Sequence, residues 1–397
     1  MINLDRLFVK VFGQREPRLL ISSPGRVNLI GEHTDYNEGF VLPASIDKSI
    51  GIIIAPREDT QCKLFAADFD EFFECDINEI QRSDKHWPNY IIGIVNQMQK
   101  QQMKLRGFEM AFGGNIPIGA GLSSSAAVET GTAFALNELF ELGLSKIELV
   151  KLSQKSENEF VGVRCGIMDQ FVNIFGKGHN VIKLDCRSLD YEYIPFERTD
   201  LRIILCDTQV RRELASSEYN VIRTQCTAGV LLLQKHFPFV RSLRDITEAM
   251  LVDRRKELDS IIFERCKFVI DENNRVLEGC NDLQRSDFLS FGKRMFESHK
   301  GLRDEYEVSS PELDLLVEIA QDLPGVYGSR MMGAGFGGCT INLVEEQSVD
   351  EFTYTMKNKY QQACGQTIKV YICSIQSGTT KVVINESFQP LQAGERR

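Results

Sequence analysis

Apolar residues recur with two different periods along this chain, and the switches between them outline most of its elements. Met1–Phe12 follows the helical period, with Asp5, Arg6 and Lys10 interleaved, and predicts a short amphipathic helix. Leu19–Ser22, Ile50–Ala55, Gln61–Ala67, Phe72–Asp76 and Gly107–Phe112 are short β-like runs set apart by polar or charged stretches. A helix is predicted from Trp87 to about Met103, and an Ala-rich one over Ala127–Phe140, stopped by Gly143. Ser145-Lys146-Ile147-Glu148 then has the form of a capping box and starts a helix that reaches Phe160.

From about Asp185 the texture changes. Short β-like runs (Tyr191–Pro195, Leu201–Asp207) precede longer, more charged helical stretches: Leu214–Gln234, then residues 241–310, then Pro311–Leu323. The glycine-dense segment Gly325–Gly338 feeds a strand ending near Val344, and glycines at that density mark a tight backbone approach. A helix over 349–363, a strand over 367–374 and a last strand near 381–384 close the chain. Residues 241–310 carry no chemical motif and read as solvated charged faces.

Composition narrows the class. The 397 residues suit roughly two or three domains, and 43% hydrophobic with 26% charged residues is ordinary for a soluble globular protein. A formal charge of −10 disfavours nucleic acid and acidic membranes as partners, so any anion site must be built locally. The apolar runs are too short to span a bilayer, and the first residues lack a secretory core. Eleven scattered cysteines without a Cys-x-x-Cys pair, and five scattered histidines, suggest reduced thiols in a cytoplasmic protein rather than a disulfide frame or zinc site.

Three stretches carry candidate chemistry. Gly113–Ala127 joins a strand to a helix through Gly119-Ala120-Gly121-Leu122-Ser123-Ser124-Ser125, where free N–H groups and the helix dipole favour an anion. It matches neither Gly-x-x-x-x-Gly-Lys-[Ser/Thr] nor Gly-x-Gly-x-x-Gly, and an ordinary turn with a Ser cap has the same look. Ser23–Gly39 crowds Arg26, Glu32, His33, Asp35 and Asn37 among glycines, the dense set of donors and acceptors that a hydroxyl-rich ligand needs; a polar surface loop is the alternative. In Cys165–Gly176, Asp169 stands alone among apolar residues, so it caps a turn, pairs with a cation or does chemistry. Glu157 or Glu159 could serve a hard cation such as Mg²⁺ if that helix end returns to the loop, and Trp87, the only tryptophan, is either a core aromatic or a base-stacking one.

Taken in order, these motifs resemble those of the galactokinases among the GHMP small-molecule kinases. Gly25–Asn37 is similar to the galactokinase signature almost letter for letter, Pro117–Ala126 to the second family motif and Gly328–Thr340 to the third. Trp87-x-Asn89-Tyr90, Cys165–Phe171 and Leu214–Tyr219 also match, so the resemblance covers roughly residues 19–345. It implies an α+β fold of two domains: residues 1–190 like domain 2 of ribosomal protein S5, and residues 191–380 ferredoxin-like, with a final strand near 381–388 rejoining the first domain. It implies galactose and ATP as substrates with Mg²⁺, no nucleic-acid or membrane partner, and a monomer as the favoured state. Asp169 would be the base for the sugar C1 hydroxyl, with Arg26 beside it stabilising charge. Glu32, His33, Thr34, Asp35, Gly166 and Tyr219 would bind the sugar, Gly119–Ser125 the ATP phosphates, Ser125 and Glu157 the metal, and Trp87 would lie near adenine.

Some positions depart from the family pattern. Ser23 replaces the usual Ala, Met332 and Ala334 stand where Thr and Gly are commoner, and Arg212 stands where many relatives have His. Ala334 would be strained if its φ were positive. None removes a residue with a chemical role. An N-acetylgalactosamine 1-kinase is the alternative within the class, and a non-catalytic galactose sensor the alternative outside it. Intact Ser123–Ala127, with Arg26 and Asp169, argues against the sensor.

Overall fold

The structure, a computed structural model, describes residues 3–14, 18–117, 119–210 and 215–383, side chains 215–217 excepted. Its strands are β1 Leu19–Asn28, β2 Phe40–Val41, β3 Pro43–Pro56, β4 Gln61–Ala66, β5 Glu71–Asp76, β6 Phe108–Gly114, β7 Asn180–Asp185, β8 Tyr191–Pro195, β9 Leu201–Asp207, β10 Val326–Met332, β11 Cys339–Glu345, β12 Lys369–Cys373 and β13 Thr380–Val382. Its helices are α1 Leu4–Phe12, α2 Asn89–Lys100, α3 Ser124–Leu139, α4 Lys146–Ser156, α5 Met168–Phe175, α6 Ala215–Gln234, α7 Glu248–Asp253, α8 Ser260–Gln284, α9 Phe288–Asp304, α10 Pro311–Gln321 and α11 Val349–Cys364.

A six-stranded sheet in the order β13-β1-β3-β6-β4-β5 carries the first half of the chain. Its pairs are antiparallel except β4–β6. Strand β3 is apolar on both faces because both are covered. Ile52 and Ile54 enter the main core, which α2, α3 and α4 help to build, whereas Ile53 and Ala55 pack under α1 with Leu4 and Phe8. Helix α3 is buried nearly all round, as its Ala-rich sequence allows, and so forms the axis of this half. The capping box on Ser145 is present, with the Ser145 side chain on the Glu148 N–H and Glu148 returning to the Ser145 N–H.

The second sheet, β10-β11-β9-β12, is antiparallel. Ile204, Cys206 and Val344 pack one face on α10 and α11. Ile203, Leu205, Ile341 and Leu343 turn the other face into the large core shared with the first sheet. The chain returns at its end: β13 pairs with β1, Val382 opposite Leu20. The small sheet β2-β7-β8 completes the fold.

Several elements differ from expectation. Strand β1 runs on to Asn28 instead of stopping at Ser22, so half of the polar cluster is strand. The stretch before Gly333 is strand β10, not loop, and β7 is a strand where none was expected. Helix α3 ends at Leu139, and Gly143 (φ 73°) lies in the connection beyond it. Ile118, Arg212, Leu214 and the part of the expected last strand beyond 383 lie outside the described residues.

Candidate active site

Arg26 is aimed by a bulge. The β1–β3 register slips between Pro24 and Arg26, where β3 carries two extra residues, and beyond the slip Arg26 lies under the phosphate-loop candidate, its backbone N–H donating to the Leu122 carbonyl at 3.3 Å. Its Nε donates to Asp169 Oδ1 at 2.7 Å, its Nη2 to Asp169 Oδ2 at 2.9 Å and its Nη1 to the Gly121 carbonyl. Asp169 sits in the first turn of α5, and Ser123 Oγ also donates to its Oδ2. Burial works against the charge on Arg26, but Asp169, then Glu32 and Asp35, outweigh it, and the net direction is upward. Of the three roles open to Asp169, pairing with a cation is the one that the geometry contains.

Arg26, Asp169, Glu32, His33, Asp35, Gly166 and Tyr219 all line one cavity of about 310 Å³. Gly166 is there because nothing larger fits: a Cβ would lie 1.8 Å from Asp35 Oδ2. Burial first, and the charge of Asp169 second, push the Asp35 carboxyl up to about 7. His33 (φ 62°) is held by Tyr36, whose hydroxyl meets its Nδ1 at 2.8 Å and continues to Tyr306 Oη at 2.8 Å. Burial drives the His33 ring down to about 3 against the opposing pull of the Ala334 backbone, so it is neutral at pH 7, and its buried Nε2 makes no hydrogen bond of ordinary geometry among the described residues. A neutral ring nitrogen without a partner in a cavity wall suits a hydroxyl. Glu32 Oε1 accepts from Arg330 Nη2 at 3.0 Å and from the Gly333 N–H at 2.9 Å, which ties the segment to the third glycine-rich motif.

Thr34 is not in the cavity. Its hydroxyl reaches the Gly31 carbonyl at 2.9 Å and the Phe40 carbonyl at 2.6 Å, closing the segment on itself. Trp87 also stands apart, its Nε1 on Glu71 at 2.9 Å and its ring against Phe73 and Phe112. Glu159 is exposed among Gln97, Lys100 and Lys155, whereas Glu157 lines the cavity where α4 widens into a single π turn, Glu157–Val161.

The loop Gly119–Ser125 does not line this cavity but is tied to its wall by the bond from Ser123 to Asp169. Gly121 (φ 75°) and Ser123 (φ 55°) are both left-handed, and Ser123 spends its hydroxyl on Asp169 instead of capping α3. The first N–H groups of a 16-residue helix are thus left uncapped by that side chain, as an anion site requires. Gly333 comes close to Gly121: a Cβ built on Gly333 would lie 3.7 Å from Gly121 Cα. Ala334 is not among the residues with positive φ, so its departure from the family pattern costs no backbone strain. The Ser23 hydroxyl is buried and bonded to the Ala127 carbonyl at 2.6 Å.

Three residues at the site escaped sequence reasoning. Arg330, fully buried, donates to the Asn28, Leu29 and Met331 carbonyls as well as to Glu32. An arginine inside a glycine-dense apolar segment was the available signal. Glu129, on the buried α3, faces Glu157. Burial and then the charge of Glu157 push it well above the carboxylate range. Gln170 joins them, donating to Glu157 Oε2 at 2.6 Å. Burial also raises Glu157, with the Cys165 thiol acting against that and the charge of Asp169 adding to it.

Comparison with known proteins gives three family matches: "GHMP kinases N terminal domain" over residues 89–177, "Galactokinase galactose-binding signature" over 6–56 and "GHMP kinases C terminal" over 281–362. The galactokinase of Roseiflexus sp. (strain RS-1) is 42% identical over 369 residues, covering 93% of this chain and 94% of that protein. That of Clostridium acetobutylicum is 41% identical over 386 residues, covering 96% and 98%. The crystal structure of Lactococcus lactis galactokinase complexed with galactose superposes with a TM-score of 0.92 at 37% identity, covering 96% of this chain and 99% of that one.

Proposed function

The chain belongs to the galactokinase family of the GHMP kinases, and from that premise we propose that it moves the γ-phosphoryl group of ATP to the C1 hydroxyl of α-D-galactose. The observation that carries this reading is the Arg26–Asp169 pair in a cavity wall, with Ser123 of the phosphate loop on the same carboxylate. Asp169 takes the proton of the C1 hydroxyl as that oxygen bonds to the γ-phosphorus and the bridge to ADP breaks; general-base action of this kind contributes typically about 10²–10⁴-fold. Arg26 and the free N–H groups of α3 face the charge in transfer, where preorganised donors act most strongly. His33, Glu32, Asp35, Gly166 and Tyr219 form the sugar wall, and Thr34 keeps that wall's backbone closed. Trp87 belongs to the adenine side.

Glu157 fits a hard cation: it is a buried carboxylate in the cavity wall with no cationic side chain paired to it among the described residues. With Ser125 it would hold Mg²⁺, which offsets the charge of the phosphate oxygens. The division into residues 1–190 and 191–380 is part of the reading, supported by the two main sheets that draw their strands from those halves apart from β13. So are a monomeric state and a cytoplasmic location; free cysteines at all eleven positions support the latter. No helix among the described residues is long and apolar enough to cross a membrane.

The test is a coupled ADP-release assay with ATP and Mg²⁺ across a panel of hexoses. Galactose should be the preferred acceptor. Sugar binding without ADP release would leave a sensor, and equal or better turnover of N-acetylgalactosamine would reassign the substrate.

A further inference from the structure

The galactose-facing segment between β1 and β2 is an irregular loop, with Gly31, His33 and Glu38 all at positive φ (98°, 62° and 59°). Such a loop keeps one shape only if its surroundings over-determine it. We propose that Glu272 and Asn273 of α8 are positioning residues that clamp the two ends of this segment and thereby set galactose affinity without touching the sugar. The proposal rests on the galactokinase reading above and assigns a role to part of the charged stretch 241–310.

The two side chains are neighbours in sequence and take the backbone N–H groups at opposite ends of the segment. Glu272 Oε1 accepts from the Gly31 N–H at 2.9 Å, and Asn273 Oδ1 accepts from the Phe40 N–H at 2.8 Å. Glu272 is fully buried, and its remaining capacity is filled: Oε1 also accepts from Ser298 Oγ at 2.7 Å, and Oε2 pairs with Arg275 Nε at 2.7 Å. A buried charge with its partners in place resists displacement, because any movement leaves it or a buried N–H unsatisfied. The close fit depends on two glycines. A Cβ on Gly39 would lie 2.2 Å from Asn273 Oδ1, and one on Gly31 would lie 2.8 Å from Val276 Cγ2. Arg244, paired to Asp185, covers the Phe40 ring at 3.6 Å. Between the clamped ends lie Glu32, His33 and Asp35, three of the cavity-wall residues. The clamp makes no hydrogen bond to the loop Gly119–Ser125 among the described residues. The sugar should therefore feel it and ATP should not.

The experiment compares Asn273→Ala, Asn273→Asp and Glu272→Gln with the wild type. It measures Michaelis constants for galactose and for ATP, and amide hydrogen exchange across residues 29–40. Asn273→Ala should raise KM for galactose about fivefold, the equivalent of about 1 kcal/mol for one backbone bond, with kcat and KM for ATP within about twofold. Exchange at Phe40 should accelerate by a similar factor. Asn273→Asp keeps the acceptor and should restore both. If Asn273→Ala does not fold, Glu272→Gln, which keeps the side-chain volume but has one oxygen for the donors Gly31 N–H and Ser298 Oγ on one side and Arg275 Nε on the other, weakens the clamp at Gly31 and is read there in the same way. Unchanged exchange would overturn the proposal. So would faster exchange with an unchanged galactose KM, or a parallel rise in the ATP KM. Failure of the wild type to turn over galactose would instead sink the proposed function, and the exchange arm would still decide whether the two residues hold the segment.

Discussion

Asp169→Asn separates the chemistry of this site from its architecture. The amide has the carboxylate's shape, but its NH₂ group cannot accept, and Asp169 now accepts from three donors: Arg26 Nε, Arg26 Nη2 and Ser123 Oγ. Whichever way the amide turns, a nitrogen faces an N–H or O–H donor. Loss of the base alone should lower kcat by about 10²–10⁴-fold, equivalent to roughly 3–5 kcal/mol of barrier. The stability cost is smaller. The side chains are 7% and 27% exposed, so the pair lies between a surface bridge and a fully buried one, and roughly 2 kcal/mol is expected. Arg26 is not orphaned, because the charges of Glu32 and Asp35 still face it. Removing the Asp169 charge also removes the second cause of the raised Asp35 carboxyl, which should then titrate below its value of about 7. Steady-state ADP release gives kcat, calorimetric titration gives galactose affinity, and a thermal melt confirms folding. A folded variant that binds galactose normally and turns over within tenfold of the wild type would refute Asp169 as the base.

Gly166→Ala places a Cβ 1.8 Å from Asp35 Oδ2 and must push that carboxyl off the cavity wall, so KM for galactose should rise about tenfold or more while KM for ATP stays level. Asp35→Asn should change how stability depends on pH. The folded Asp35 carboxyl keeps its proton up to about 7, whereas an unfolded Asp releases it near 3.8, so the wild type loses stability as pH rises between those values and bears the full cost above them. That cost is at most about 4 kcal/mol. Melts from pH 4 to 8 should therefore show the variant more stable at pH 7.5 and the gap closing by pH 4; a gap that widens towards acid would contradict the assignment. Arg330→Met leaves Glu32 buried without its cation and frees three backbone carbonyls, so denaturant unfolding should show a loss of about 3–5 kcal/mol.

The well-read parts of the fold are those where local pattern and burial agree. Ile50–Ala55 was legible as a strand because β3 is covered on both faces, and Ser145–Glu148 as a helix start because the capping box is a local bond. The misread parts are those where partners far away decide. Val326–Met332 looks like a glycine-bearing loop until β11 pairs with it, and Ser23–Asn28 looks like a polar loop until β3 does. Glu157 and Glu159, two residues apart, could not be told apart in sequence. The π turn decides that Glu157 faces the cavity and Glu159 the solvent.

By itself the sequence determined the set of chemical groups: Arg26, the donors and acceptors of Glu32–Asp35, the hydroxyl-bearing glycine loop and the isolated Asp169. Residue type and local spacing are properties of the chain, and they name the family. What tertiary structure alone decided is which group meets which. Asp169 lies 143 residues from Arg26 and 46 from Ser123, and Glu272 lies 241 from Gly31. Those meetings exist only because the bulged β1–β3 pair, the buried α3 and the long α8 pack as they do, and no local pattern encodes a contact whose free energy is released only when distant segments leave water together. The same packing sends the Thr34 hydroxyl to its own backbone and the Ser123 hydroxyl to Asp169, partners that neither position in sequence suggests.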